Sequence, residues 1–327
     1  MIRQNWIDWS KSIGIYLVVL GHCSFFNKDI EGFIYTFHMP LFFMISGYLY
    51  KDELIPFTSL FTKLKKRLLI PYCSINIIVA IWELTKFITR GNSEYFPLIK
   101  EQIYGTILGI PTKIFSGPTW FLLSLFWCHL FMFAYIRVKD KGWTSCFLIL
   151  IPIIMLFIKL NLNYSLFYGL DTFPLAILYF LTMYNLKKYF SPIRRKNKIY
   201  DITLSILLFI ITFYIYKING SSNLILSSFG KNFFIGFLGA LTGTFGVFFI
   251  GYSLNQCKSQ FIKKVSNATI LILGFHMTLM NFIELHIYSF QNNTILNIII
   301  SLLIVIIISI LFPYIGKTFP ILVGYRK

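Results

Sequence analysis

The amino-acid sequence predicts an all-α membrane protein in which about ten transmembrane helices form one bundle. Composition is the first observation: 57% of the 327 residues are hydrophobic, 13% are charged, and the mean hydropathy is +0.71. The second is that apolar residues occur in runs long enough to cross a ~30 Å hydrocarbon layer as helices. The third is that these runs lack the alternation of a β-barrel strand, which leaves helices as the way to satisfy the backbone within lipid.

Ten apolar runs are interpreted as the helices of a single integral-membrane domain, residues 1–327. They are residues 12–26, 33–50, 68–88, 119–136, 143–159, 173–186, 200–216, 233–254, 268–288 and 295–315. Residues 89–118 form the longest predicted loop, on the extracytoplasmic side. Within this loop, YFPLIKEQIYGTILGIP has the composition of an amphipathic helix that lies on the membrane surface.

The distribution of positive charge predicts the orientation of the chain. The net charge of +18 could suit nucleic acid, but the basic residues cluster between the apolar runs. With a cytoplasmic N-terminus, 22 of the 30 lysines and arginines face the cytoplasm, as the positive-inside rule favours. We therefore expect both termini inside, the lipid bilayer as the surroundings, and no nucleic-acid partner. The five cysteines show no CxxC pair or metal-ligand spacing, so neither a metal nor a bound cofactor is predicted.

Two histidines interrupt the first two apolar runs at a similar predicted depth. His22 lies near the outer end of the first helix, and His38 lies near the outer start of the second. Helices joined by a short loop are usually neighbours, so both imidazoles are expected in one cavity. Lys11 falls on the same face of the first helix as His22, and Asp8 is within ion-pairing reach of Lys11. A buried histidine of near-neutral pKa suits general-base chemistry.

Other ionisable residues lie inside the predicted bundle. Glu83 and Glu284 fall in the outer half of their helices, whereas His129 and His276 come out nearer the middle of the membrane. Intramembrane ionisable residues are functional candidates by default. The alternative for each lone histidine is a neutral ring that is hydrogen-bonded to a neighbouring helix.

A basic cluster precedes the third predicted helix on its cytoplasmic side. It consists of Lys63, Lys65, Lys66 and Arg67, with Pro71 in the first turn of the helix. Cations at a helix start oppose the helix dipole, and a docked phosphate would offset that effect. Lipid headgroups explain such a cluster almost as well.

These motifs resemble the acyltransferase-3 family of bacterial membrane acyltransferases, and most closely its fucose 4-O-acetylase-like subgroup. The resemblance is carried by NWIDWSKSIGIYLVVLGH (5–22), FHMPLFFMISGYLY (37–50) and KKRLLIPY (65–72). Two later segments are similar as well, SGPTWFLLSLF (116–126) and KKVSNATILILGFHM (263–277).

The resemblance implies that acetyl-CoA, bound from the cytoplasm, donates its acyl group to a hydroxyl of a surface glycan such as O-antigen, capsule or exopolysaccharide. The bacterial inner membrane is the implied location. His22 would be the catalytic histidine, and Lys11, Lys63, Lys66 and Arg67 would bind the donor. Lys11 stands where the family more often has arginine, and a lysine cannot make a bidentate contact. Leu64 likewise stands where a second arginine, three residues before the first, is common.

The expected chemistry places His22 as the base that takes the proton of the attacking hydroxyl, with Asp8 and His38 in the same catalytic set. His38, Ser46 or Trp120 would donate a hydrogen bond to the oxyanion, and Glu83 and His276 would support the site. The main alternative is a transporter or exporter of a carbohydrate or lipid-linked sugar, with a proton relay of intramembrane residues. No repeat between the two halves of the chain favours that alternative.

Overall fold

The computed structural model describes residues 3–23, 28–90, 95–162, 166–190, 197–226, 228–286 and 294–324, and these are almost entirely helical. The helices are α1 Asn5–Gly21, α2 Lys28–Leu49, α3 Phe57–Leu64, α4 Ile70–Arg90, α5 Tyr95–Leu108, α6 Trp120–Val138, α7 Trp143–Leu162, α8 Phe173–Leu186, α9 Lys198–Asn219, α10 Phe233–Ser253, α11 Gln260–His286 and α12 Thr294–Thr318. Two short antiparallel strands, β1 Ser222–Asn223 and β2 Ser228–Phe229, join α9 to α10.

The predicted helical class is confirmed, and each predicted run overlaps a helix. Seven helical segments within the described residues are long and apolar enough to cross a membrane, and the helices at 143–159 and 173–186 are shorter. The count of ten spans and the sides of the termini therefore stay predictions. Residues 89–118 contain the helix α5. Its position on the membrane surface and the extracytoplasmic side of this segment stay predictions.

The first helix differs from its prediction at both ends. It begins at Asn5 instead of residue 12, so that Asp8 and Lys11 lie inside it, and it ends at Gly21. The early start is possible because the polar residues of the first turns have partners: the Asn5 side-chain amide donates to the carbonyl of Asn255 at 3.0 Å. Residues 24–26 of the predicted helix lie outside the described residues.

The chain divides into two compact units, and the first contains residues 1–50 and 179–313. Here α1 and α2 form an antiparallel hairpin with very close packing. A Cβ on Gly14 would meet Leu41 and Phe42 of α2, and a Cβ on Gly21 would meet Ile34 and Tyr35. The register places the last turn of α1 beside Ile34 and Tyr35 of α2, about one turn before His38.

Three asparagine side chains in the same unit bond to backbone groups at the ends of α9 and α10. Asn197 and Asn232 precede these helices, and each side chain accepts two backbone N–H groups of the first turn. The buried Asn219 at the end of α9 donates to the carbonyl of Phe229 and accepts from the N–H of Asn232 at 2.8 Å. These bonds hold the short strand pair against the ends of both helices.

The second unit contains residues 51–178 and 314–327. Its main element is a continuous helical run from α3 through a π-helical turn, Lys65–Leu69, into α4. On α4, the side chain of Asn76 donates to Thr119 at 2.9 Å and accepts from the N–H of Ser116 at 2.9 Å, which ties α4 to the start of α6. A cavity of about 610 Å³ with largely apolar walls lies among Leu69, Ile77, Ile103, Phe126 and Tyr168.

Gly47 provides a test of the packing between α2 and α8. A Cβ at this position would overlap the carbonyl oxygen of Phe180, which is backbone and cannot rotate away. We expect Gly47→Ala to lower the thermal unfolding midpoint of the purified protein in detergent. The matched control is Gly316→Ala on α12, where the added Cβ would lie 3.6 Å from Val323 in ordinary contact. The control should be neutral or stabilising by up to about 1 kcal/mol, because alanine favours a helix over glycine. Equal midpoints for the two variants would contradict this packing.

Candidate active site

The site is built around His22, at the end of α1. Its Nδ1 lies 2.8 Å from the hydroxyl oxygen of Tyr35 on α2, within hydrogen-bonding distance. The ring of Tyr35 in turn meets the ring of His38 edge-on, with centroids 4.9 Å apart. His22 and Tyr35 are half-buried, and His38 is buried. The structure therefore brings His22 and His38 together, with Tyr35 between them.

Backbone carbonyls determine which nitrogen of two further rings carries the proton. His38 Nδ1 lies 2.9 Å from the carbonyl oxygen of Ile34, and His276 Nδ1 lies 2.8 Å from that of Ile272. A carbonyl oxygen only accepts, so Nδ1 is the protonated nitrogen in both rings. In the neutral form, each Nε2 is then an acceptor. His38 in this form cannot donate to an oxyanion through Nε2, contrary to one of the expected roles.

His276 on α11 stacks on His22. The ring centroids are 5.2 Å apart and the planes differ by 14°. The expectation that His276 lies at a different depth from His22, nearer the middle of the membrane, is wrong. The predicted helix began at residue 268, whereas α11 begins at Gln260, so His276 lies 16 residues into its helix, much as His22 lies 17 residues beyond Asn5.

The other end of α1 is fixed by a buried carboxylate. Asp8 accepts two hydrogen bonds from the Arg3 guanidinium, at 2.6 and 2.8 Å, and a third from the hydroxyl of Ser266 on α11 at 2.6 Å. Arg3 also donates to the side-chain oxygen of Asn267 at 3.2 Å. Sequence analysis had placed Asp8 with Lys11 and His22. Asp8 lies about 21 Å along the helix from His22, so it does not contact the imidazole.

The hydroxyl of Ser46 already donates a hydrogen bond within its own helix. It donates to the carbonyl oxygen of Phe42, one turn back on α2, at 2.8 Å. This local bond is typical of serine within apolar helices. Ser46 was expected to be an oxyanion donor, and its proton is not available for that in this arrangement.

Three of the predicted donor-binding cations, Lys63, Lys66 and Arg67, lie in the second unit with Lys65, and all four side chains are exposed. The fourth predicted donor-binding residue, Lys11, lies on α1 in the first unit and is half-buried. The expectation that the basic cluster stands at a helix N-terminus is wrong. The helical run begins at Phe57, so the cluster falls in its interior, on the π-helical turn. Its backbone N–H groups are therefore used within the helix and cannot hold a phosphate, which leaves the side chains as the ligands. π-helical turns of this kind occur frequently at functional sites.

The two remaining predicted support residues also belong to the second unit. Trp120 is the first residue of α6 and is 2% exposed, so its side chain is enclosed by the protein. Glu83 is paired with Lys86 on the same helix at 2.7 Å.

Sequence analysis missed three residues of the site: Arg3, Tyr35 and Ser266. Arg3 was counted only as a charge beside the membrane. Tyr35 could have been found. If α1 and α2 form a hairpin in which His22 lies near His38, then Tyr35, one helical turn before His38, also lies near His22. Ser266 lies in KKVSNATILILGFHM, a segment that is part of the resemblance, but its approach to Asp8 depends on how α11 packs against α1.

Comparison with known proteins gives a family match along most of the chain. The family model described as an acyltransferase domain matches residues 4–314. Nodulation protein NolL of Mesorhizobium japonicum is 30% identical over 151 residues, covering 42% of this chain and 36% of that protein. The aligned region thus spans little more than a third of the relative. No solved structure matches the chain.

Because the Arg3–Asp8 ion pair is largely buried on the Asp8 side, replacing Arg3 should destabilise the protein more than replacing Lys51, whose ion pair is exposed. Arg3→Gln removes the bidentate contact and leaves a carboxylate that is 11% exposed, and should lower the free energy of unfolding by about 2 kcal/mol. Lys51→Gln is the control, because its pair with Glu53 is exposed to solvent on both sides and should contribute little to stability. Chemical unfolding in detergent measures both. A loss at Arg3 no larger than at Lys51 would show that the pair does not hold α1.

Proposed function

The chain belongs to the acyltransferase-3 family, and on that premise we propose that it moves an acetyl group from cytoplasmic acetyl-CoA to a hydroxyl of a cell-surface glycan. That the protein is a membrane acyltransferase follows from the family match and from the helices long and apolar enough to cross a membrane. The observation that carries the finer proposal is His22, a half-buried imidazole held between the Tyr35 hydroxyl and the His276 ring.

In the proposed reaction, the oxygen of the acceptor hydroxyl attacks the carbonyl carbon of the thioester while His22 takes the hydroxyl proton at Nε2. The carbon–sulfur bond then breaks, an acetyl ester forms, and the leaving thiolate receives the proton from the imidazolium. This sequence needs His22 protonated at Nδ1 with a lone pair at Nε2. The Tyr35 oxygen fits that requirement, because it can accept from Nδ1–H and leave Nε2 unprotonated.

Two groups act on His22 without accepting the proton themselves. Tyr35 orients the ring and selects its tautomer, as second partners of catalytic imidazoles do. Asp8 acts at a distance, because its bonds to Arg3 and Ser266 fix the packing of α1 on α11 and hence where His22 stands. Asp8 is thus proposed to be a positioning residue.

The donor is proposed to bind through its phosphate groups to Lys63, Lys66 and Arg67. Three exposed cations on one helical turn support this, since the phosphates of coenzyme A carry several negative charges. A membrane-facing anionic headgroup is the competing ligand. The concentration of basic residues on one side supports an inner-membrane location with cytoplasmic termini.

The first test is replacement of His22. His22→Ala should abolish acetylation of surface glycans by cells that express the protein, because no other group in the proposed step takes the hydroxyl proton. Tyr35→Phe should lower the rate by about tenfold or more while His22 remains. Mass spectrometry of the glycans measures both, normalised to the amount of protein in the membrane.

The control for this test is Tyr200→Phe on α9, whose side chain is exposed, and it should leave acetylation near the wild-type level. Transfer from acetyl-CoA to a surface-glycan extract by the purified protein in detergent separates an enzyme from a transporter, because no gradient exists there. Wild-type acetylation in the His22 variant would overturn the mechanism.

The second test concerns the cations. Neutralising two of them, as Lys66→Gln with Arg67→Gln, should raise the KM for acetyl-CoA by about tenfold or more and leave kcat nearly unchanged, since only ground-state binding is lost. Lys258→Gln with Lys264→Gln is the matched control, because it removes the same charge from exposed positions outside the cluster. Equal KM values in the two double variants, or a dependence on anionic lipid alone, would favour headgroup binding.

A further inference from the structure

The cavity of about 610 Å³ in the second unit has no role in the proposed reaction. Its volume falls in the range of sites that hold small organic ligands. The wall is formed by α4, α5, α6 and the turn before α8, all of which belong to this unit. Most of the lining side chains are aliphatic or aromatic, so the cavity suits an occupant that is largely hydrocarbon.

Polar side chains of the wall form their hydrogen bonds within the protein. The Tyr72 hydroxyl donates to the carbonyl of Thr106 at 2.7 Å, which ties α4 to α5. The bonds of Asn76 tie α4 to the start of α6. The indole N–H of Trp127 donates to the carbonyl of Tyr168 at 2.7 Å. These bonds leave the interior apolar and also hold the surrounding helices at fixed positions.

Tyr168 lines the cavity in a backbone conformation that is uncommon for any residue but glycine. Its φ is 54°, in the left-handed region. Bonds on both sides fix it there, because its N–H donates to the carbonyl of Leu108 at 2.7 Å and its own carbonyl accepts from Trp127. Residues held in this way occur preferentially at functional sites, among them sites that clamp ligands. The cavity is therefore a fixed feature of the unit.

The mouth of the cavity lies among side chains that face lipid. Ile77 on α4 and Ile107 on α5 line the cavity and are 59% and 60% exposed. Since α4 belongs to a helical run long and apolar enough to cross a membrane, its exposed aliphatic side chains contact the hydrocarbon of the bilayer. A molecule that enters between these side chains therefore comes from the membrane.

One end of the cavity adjoins the basic cluster. The lining residues on α4 run from Leu69 to Ala80, about 16 Å along the helix axis. Leu69 ends the π-helical turn, and the N–H of the next residue, Ile70, donates to the carbonyl of Lys65 one turn earlier. Lys65 is exposed and forms no ion pair within the part of the chain that the structure describes. It is also not among the proposed donor contacts.

From the apolar cavity, its lipid-facing mouth and the cation at its end, we infer that this site binds an anionic phospholipid of the bilayer. One acyl chain occupies the cavity and the headgroup lies at Lys65, since such a lipid carries its charge at one end of a long hydrocarbon chain. A lipid without net charge leaves the cation uncompensated, and a free phosphate leaves the cavity unfilled. This ligand is separate from the proposed donor and acceptor, and its binding does not depend on acyl transfer.

The test is a titration of the purified protein in detergent with dioleoyl phosphatidylglycerol, followed by native mass spectrometry. Ile77→Trp places an indole at the mouth and should weaken binding by about tenfold or more, because losing two CH₂ contacts is enough for that factor. The matched control is Ile81→Trp, one turn further along α4, which is also 59% exposed but does not line the cavity. It should bind the lipid as the wild type does.

The headgroup is tested with an exposed side chain, whose replacement leaves the fold intact. Lys65→Gln should weaken binding of phosphatidylglycerol about fivefold, the factor that corresponds to one lysine beside an anionic headgroup. Dioleoyl phosphatidylcholine, which has the same chains and no net charge, should bind more weakly to the wild type and be insensitive to Lys65→Gln.

Three results would overturn the inference. Equal affinities of Ile77→Trp and Ile81→Trp for phosphatidylglycerol would show that the lipid binds outside the cavity. Equal affinities of the wild type for the two lipids would remove the role of the charge. Tighter binding of palmitoyl-CoA than of phosphatidylglycerol, lost in Ile77→Trp, would show that the cavity holds the acyl chain of a long-chain donor instead.

Discussion

The packing of α1 on α11 depends on the carboxylate of Asp8, which is bound by Arg3 and by Ser266. A buried carboxylate requires several donors, and these must come from neighbouring parts of the chain because lipid supplies none. Once the two helices are fixed at this end, they run in parallel, and the rings of His22 and His276 stack 14 residues beyond Asp8 and 10 residues beyond Ser266. The contact between His22 and His276 therefore depends on the Arg3–Asp8 ion pair, which lies about 21 Å from His22 along α1.

Backbone carbonyl groups of the helices determine which polar atoms of the site side chains can donate a hydrogen bond. The free carbonyl lone pairs one turn back take the protons of His38, His276 and Ser46. Each of these side chains therefore presents an acceptor to its surroundings instead of a donor. The resulting cluster is suited to receiving protons and binding hydroxyl groups, and oxyanion stabilisation must come from other groups.

Much of the fold was predictable because the runs of apolar residues and the lipid thickness leave few options. The pairing of α1 with α2 followed from a short connection, and with it the meeting of His22 and His38. The errors have common causes. Helix ends were placed where apolar character stops, yet α1 and α11 continue through polar residues that have partners elsewhere in the chain. The same error made the basic cluster look like a helix start, although the helical run begins at Phe57.

By itself, the sequence determined the helical class, the cationic cluster and the candidate base, since hydropathy, charge and the position of a lone histidine are local properties. Only the tertiary structure decided that Arg3 and Ser266 bind Asp8, that Tyr35 lies against His22, and that His276 stacks on it. The contacts of Ser266 with Asp8 and of His276 with His22 depend on how helices about 250 residues apart in the chain rotate and shift against one another, and no local pattern encodes that geometry.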